Sequence, residues 1–156
     1  MKKIALTWLI SLLCGGAYAA DWVFVAEGPD ADTDYYVDSS SYKYNSKSRV
    51  AEVWHKRNDF RGLEEYTDSK TLTAYDCIGK REKTIAQVIY TFDGKSNQTV
   101  SKPTQYSIIF PDTIGEALWT AACKTKGKGL YLPYKPNFIS EKRMKLLGIE
   151  DGKKTP

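Results

Sequence analysis

Two cysteines, Cys77 and Cys123, constrain this chain more than any other feature, because they are what remains once its export leader is set aside. The leader is Met1-Lys2-Lys3, an apolar run from Ile4 to Leu13, and Cys14-Gly15-Gly16-Ala17-Tyr18-Ala19-Ala20. A basic start, an apolar core too short to span a bilayer and a small-x-small pattern at Ala17 and Ala19 read as a cleavable signal peptide over residues 1–20. The mature chain is then a soluble, exported molecule starting near Asp21, in an oxidising compartment where a lone cysteine pair defaults to a disulfide. Lipidation of Cys14 is the competing outcome; a bulky Leu13 before the cysteine suits that processing poorly.

The two cysteines close runs of opposite character. Cys77 ends the strand-like Thr71-Leu72-Thr73-Ala74-Tyr75-Asp76, and Cys123 ends a helix-like run that begins after Pro111. If bonded, they staple a helix to a sheet and close a loop of about 45 residues, for which chain entropy gives roughly 4 kcal/mol as an upper figure. The other reading is a pair of unbonded, buried cysteines acting as small apolar residues. Short β-branched and aromatic runs divided by Gly, Asp, Asn and Ser predict strands over Trp22–Glu27, Asp34–Asp38, Arg49–Lys56, Lys70–Cys77, Thr84–Phe92 and Thr104–Phe110. Ile114, Ala117, Leu118 and Ala121 recur at helical spacing, with Asp112 or Thr113 placed to cap. The predicted class is α+β: a single antiparallel β-sheet of about six strands, with a C-terminal helix disulfide-tethered to one face.

Strand alternation puts Thr71, Thr73, Tyr75 and Cys77 on the face the helix covers. Trp54 and Tyr90 then stand among large groups on both faces, so the uncovered face is expected to be partly apolar. Such a patch marks an association surface, and homodimerisation through it or through a sheet edge is one of its two readings, a monomer being the other.

Charge divides the chain unevenly. An acidic body, residues 21–123, carries a basic C-terminal arm, residues 124–156, with nine basic and three acidic residues. The arm is expected to be extended around Pro133 and Pro136, with a short amphipathic helix over Ser140–Leu147. It is either a solvated tail or a peripheral contact with an anionic surface such as lipid head groups, polysaccharide or an acidic partner. Tyr35, Tyr36, Tyr42 and Tyr44 crowd one hairpin, and Lys124, Lys126, Lys128, Tyr131 and Tyr134 follow the helix. Tyrosine beside lysine gives contact area at low entropic cost, so these nine residues form the predicted binding surface.

No constellation looks catalytic. His55 is the only histidine; it lacks companions for a metal site or an orienting partner for acid–base work, and reads as a partly buried polar group on a strand. Glu64-Glu65 reads as solvation of a charged connection spanning Asn58 to Ser69. Asn97-Gln98-Thr99 reads as a turn. No enzyme activity, cofactor, metal or nucleic-acid partner is expected.

The residues resemble the bacterial surface-adhesin protein E family. The likeness lies in Trp22-Val23-Phe24-Val25, Tyr35-Tyr36-Val37-Asp38 with its Ser-rich turn, Tyr75-Asp76-Cys77, and Gly115-Glu116-Ala117-Leu118-Trp119 leading to Cys123. It covers residues 22 to 123. The resemblance implies a small exported domain of Gram-negative bacteria, at the cell surface or in the periplasm, with a helix tethered to an antiparallel sheet by a disulfide. The founding member is an outer-membrane adhesin that dimerises and binds host matrix proteins. This chain departs from it in a leader that favours cleavage over lipid anchoring, and in a basic arm outside the likeness. The alternative function is a periplasmic binding or stress-related domain with no adhesive role, taking a small or lipid-like ligand between helix and sheet.

Overall fold

A computed structural model describes residues 19–29, 32–61, 64–133, 149–150 and 153–154. Most of the expected leader, the helix expected over Ser140–Leu147 and Tyr134 lie outside the described residues.

The strands are β1 (Trp22–Glu27), β2 (Thr33–Asp38), β3 (Lys43–Asn45), β4 (Val50–Arg61), β5 (Glu64–Asp76), β6 (Arg81–Tyr90), β7 (Ser96–Val100) and β8 (Ser107–Ile108), followed by the helix α1 (Ile114–Cys123). They form one eight-stranded antiparallel sheet in the order β1-β2-β4-β5-β6-β7. β3 extends the sheet beside the first residues of β4, ahead of the stretch that pairs with β2, and β8 does the same beside the start of β6, ahead of the stretch that pairs with β7. Two further two-residue strands, β9 (Ile149–Glu150) and β10 (Lys153–Lys154), pair with each other.

The α+β architecture is therefore the one the sequence implies, with β3 and β7 added to the expected set. The largest difference is the hairpin of β4 and β5. Its ladder runs without a loop from Val50↔Asp76 to Arg61↔Glu64, so the segment expected as a charged connection, including Glu64-Glu65, is strand. β2 flanks β4 as far as Asp59, so most of the hairpin is supported by a third strand. Here its polar residues also engage one another: Arg57 Nε donates to Asp59 at 2.8 Å, and Arg57 Nη1 lies 3.5 Å from Asp68. At the other extreme, the run expected over Thr104–Phe110 keeps only two residues of strand.

Alternation along β2, β4 and β5 turns Val37, Ala51, Val53 and Tyr75 to one face, where α1 lays Leu118, Ala121 and Ala122 against them. Val25, at the irregular register of β1 with β2, joins this core and is 1% exposed. The helix starts where the sequence asks it to. Thr113 is extended, its Oγ1 accepts from the Glu116 N–H at 3.3 Å, and Glu116 Oε2 accepts from the Asp112 N–H at 2.8 Å. This reciprocal arrangement satisfies backbone donors that the first turn leaves open. Lys80 pairs with Glu116, and Trp119 Nε1 donates to the Asp76 carbonyl at 3.1 Å. The Cys77–Cys123 disulfide, with Cα atoms 5.3 Å apart, ties the helix end to the end of β5.

The packed unit continues past Cys123. The chain turns back through Lys126 and Gly127, both at positive φ, and the Tyr131 N–H donates to the Ala121 carbonyl at 2.7 Å. Leu130 and Leu132 then pack against the core. Gly127 is required twice over. Its φ of +93° disfavours any side chain, and a Cβ there would sit 2.6 Å from Cδ1 of Tyr44.

Candidate functional site

The face that α1 leaves uncovered carries a ladder of aromatic and lysine side chains. Phe24, Tyr36, Lys56, Lys70 and Val88 are successive register partners across β1, β2, β4, β5 and β6. Register partners emerge on one face, and residues two positions away along each strand join them. That brings Trp22, Trp54, Leu72 and Tyr90 into the same surface, all partly buried. Phe24 meets Tyr36 edge-on, with ring centroids 5.8 Å apart and planes at 78°.

Lys56 and Lys70 stand directly opposite each other, a placement that like charges disfavour. The rings offset it. Lys56 Nζ lies 4.6 Å from the centre of Tyr36 and 5.4 Å from that of Trp22; Lys70 Nζ lies 5.6 Å from Tyr90 and 5.9 Å from Trp22. Each ammonium is thus held over π-faces in a partly desolvated position, where cation–π attraction is worth about 0.5–2 kcal/mol. Tyr36 is oriented in turn by its hydroxyl, which donates to Asp34 Oδ2 at 3.2 Å. The result is a positively charged aromatic surface.

The eight described residues of the predicted surface do not form one patch, and Tyr134 lies outside the described residues. Tyr36 lies in the ladder. Tyr35 pairs with Arg57 on the opposite face and packs against the core. Tyr42 and Tyr44 also pack there: Tyr42 Oη donates to the Ala122 carbonyl at 2.9 Å, and burial raises its hydroxyl pKa. Lys124, Lys126 and Lys128 are exposed at the C-terminal end of α1, where cations suit the helix dipole. Lys124 Nζ sits 3.7 Å above the Tyr131 ring. These residues form a second, basic corner beside Tyr44.

Trp22, Phe24, Lys56 and Lys70 are absent from the surface expected from the sequence, although Trp22 and Phe24 lie in the motif that carries the family likeness. The only local signal is alternation, as in Trp54-x-Lys56; their meeting depends on strand pairings set by the long β4–β5 hairpin.

His55 points to the helix side of the sheet with Val37 and Thr71 as register partners. Its Nε2 lies 3.0 Å from Thr73 Oγ1, and its enclosed Nδ1 has no partner among the described residues. Burial lowers its pKa to about 4, so the ring is neutral at physiological pH. Tyr75, also on that side, is fully buried, and its hydroxyl has Thr73 as a neighbour without bonding geometry. Among the described residues no group of three or more His, Cys, Asp or Glu could hold a metal ion, and no helix is long and apolar enough to cross a membrane.

No curated protein and no solved structure matches the chain. The family model for surface-adhesin protein E matches residues 22–124, from the first strand through the helix and its disulfide. The chain belongs to the surface-adhesin protein E family.

Proposed function

We propose that this chain is exported by its leader and works as a non-enzymatic interaction domain of the adhesin kind, using the open sheet face to dock a protein partner in the extracellular matrix. The observation that carries this reading is the Lys56–Lys70 ladder, two opposed ammonium groups held over Trp22, Tyr36 and Tyr90 on a face the helix does not cover. Rigid aromatic area with a desolvated positive charge is the composition of binding hot spots. The space between helix and sheet is filled by Val25, Val53, Tyr75 and Leu118, which favours docking on the face over a small ligand under the helix. The basic corner at Lys124, Lys126 and Lys128 supplies a peripheral contact to an anionic surface, and a second copy of the chain competes for the same sheet face.

Fractionation with protease shaving of intact cells tests the placement. Surface exposure of the domain is the expected result. Recovery wholly in soluble periplasm, protected from added protease, would overturn the adhesin reading. Sedimentation at micromolar concentration separates the docking of a second copy from a face that stays free for another partner.

A further inference from the structure

Lys43, Glu52, Ala74 and Lys83 are register partners across β3, β4, β5 and β6, so they form one row on the open face, beyond Trp54 and Leu72. Ala74 has the only short side chain of the four and is fully buried beneath its charged neighbours. With Val50 and the wall formed by Tyr106, the row lines a groove of about 460 Å³, within the roughly 300–1,000 Å³ of small-molecule sites.

The wall is held in place before any ligand arrives. The Thr104 N–H donates to the Thr84 carbonyl at 2.9 Å, the Thr84 N–H to Thr104 Oγ1 at 3.0 Å, and Ser107 Oγ to the Glu82 carbonyl at 3.3 Å. Arg81 and Lys83 lie 5.4 and 5.0 Å from the centre of the Tyr106 ring. Asn45, at the rim, is fixed by accepting from the Lys47 and Ser48 N–H groups at 3.0 and 3.1 Å.

Beyond the contact of Lys83 with the Tyr106 ring, the charges in the groove have no polar partner among the described residues. Arg81 is paired with Asp76 at 2.6 Å, but the side chains of Lys43, Glu52 and Lys83 make no hydrogen bond or ion pair among the described residues. Lys43 faces Glu52 in the ladder without bonding to it. Three ionised groups converging on a preformed groove with their bonding capacity open is the arrangement of a site that a ligand completes.

Their order selects the ligand. Three strand spacings of about 4.8 Å put the two lysines roughly 14 Å apart at their backbones, with a carboxylate between them. A lipid chain finds charge where it needs apolar wall. A compact polyphosphate would lie against Glu52. An acidic sugar presents carboxylate or sulfate groups to the ammonium ends and hydroxyl donors to the carboxylate. Burial and the nearby Asp76 and Glu52 carboxylates raise the Tyr106 pKa, which keeps its hydroxyl available as a donor.

We propose that the groove between β3 and β6 binds an acidic saccharide of one or two sugar units, with Lys43 and Lys83 holding its anionic groups, Glu52 accepting from its hydroxyls and Tyr106 forming the wall. The site is distinct from the Lys56–Lys70 ladder and does not depend on which macromolecule docks there.

The test is a titration of the mature, disulfide-bonded chain followed by amide chemical shifts. Three probes are used: a hyaluronan tetrasaccharide as a matrix-type acidic sugar, a 3-deoxy-octulosonate-bearing core oligosaccharide as an envelope-type one, and neutral cellotetraose. At least one acidic probe is expected to shift the amides of Lys43, Glu52, Ala74 and Lys83, and the one that does so identifies the source. The neutral sugar should not. Lys83→Ala is expected to weaken binding roughly tenfold. Glu52→Gln separates recognition of a sugar from plain ion exchange: loss of the charged hydroxyl acceptor weakens sugar binding several-fold, whereas a site reading charge alone binds tighter once the carboxylate is gone. No groove shifts with either acidic probe, equal binding of cellotetraose, or tighter binding by Glu52→Gln would each overturn the proposal.

Discussion

Gly127 shows how much of this fold depends on one absent side chain. A Cβ there is opposed by both the backbone, at φ +93°, and the Tyr44 ring 2.6 Å away. Gly127→Ala is expected to destabilise the chain by about 1–3 kcal/mol, more than the value for positive φ alone, because the ring must move as well. Gly94→Ala is the control: its φ is +78° but nothing lies within 4 Å, so its cost should be the smaller of the two in urea unfolding. His55 makes the second residue-scale prediction. Its pKa falls from 6.5 to about 4 because burial disfavours the imidazolium. The unfolded chain therefore takes up a proton at higher pH than the folded one. The fold keeps its full stability above about pH 6.5 and loses it as pH drops towards 4, with a ceiling of about 3 kcal/mol from this group. The ring residue keeps a partly exposed edge, which holds the true loss below that ceiling. His55→Gln should flatten the fall in stability between pH 7 and pH 4.5 relative to the parent; an unchanged slope would contradict the burial assigned to the ring.

At the scale of the element, α1 was legible because its signals are local. Thr113 before a first turn with Glu116 three positions on, and Ile114, Ala117, Leu118 and Ala121 on one face, require no knowledge of the rest of the chain. β3 and β7 were missed because their stability is not local. Ser96–Val100 is polar up to its last residue, and it becomes a strand because β6 offers it a ladder from Gln87↔Val100 to Tyr90↔Ser96. The distal half of the β4–β5 hairpin has the same explanation. Its residues read as loop solvation, yet the pairing begun by Val53 and Tyr75 in the core propagates outward through the register. The disulfide acts on α1, which has no ladder to hold it. Cys77→Ser with Cys123→Ser should cost up to about 4 kcal/mol, the loop entropy of a 46-residue separation. Hydrogen exchange should locate the loss first in α1, while the β4–β5 amides stay protected.

At the scale of the whole molecule, the chain is a sheet with two unlike faces. One is sealed by α1 and by the turn that follows it, and the other is left open with its aromatic and basic ladder. The sealed face extends beyond the boundary read from the charge pattern at residue 124, because Leu130 and Leu132 return to the core. The two parts of the basic segment should therefore behave differently on truncation. Removing residues 134–156 is expected to leave cooperative unfolding intact, whereas removing 124–156 should cost several kcal/mol through the two lost leucines. The open face was only half legible: an excess of large residues in β4 and β6 announced an association surface, but which side chains would meet was hidden in the register. On the proposed reading this face, and not the basic corner, docks the partner. The direct measurement is binding of the purified mature chain to a panel of immobilised extracellular-matrix proteins, with two charge-reversed variants of equal net change compared at one ionic strength. Lys56→Glu with Lys70→Glu is expected to abolish binding, while Lys124→Glu with Lys128→Glu weakens it only a few-fold, as a peripheral charge effect. Full binding by the ladder variant, or loss confined to the corner variant, would contradict this reading.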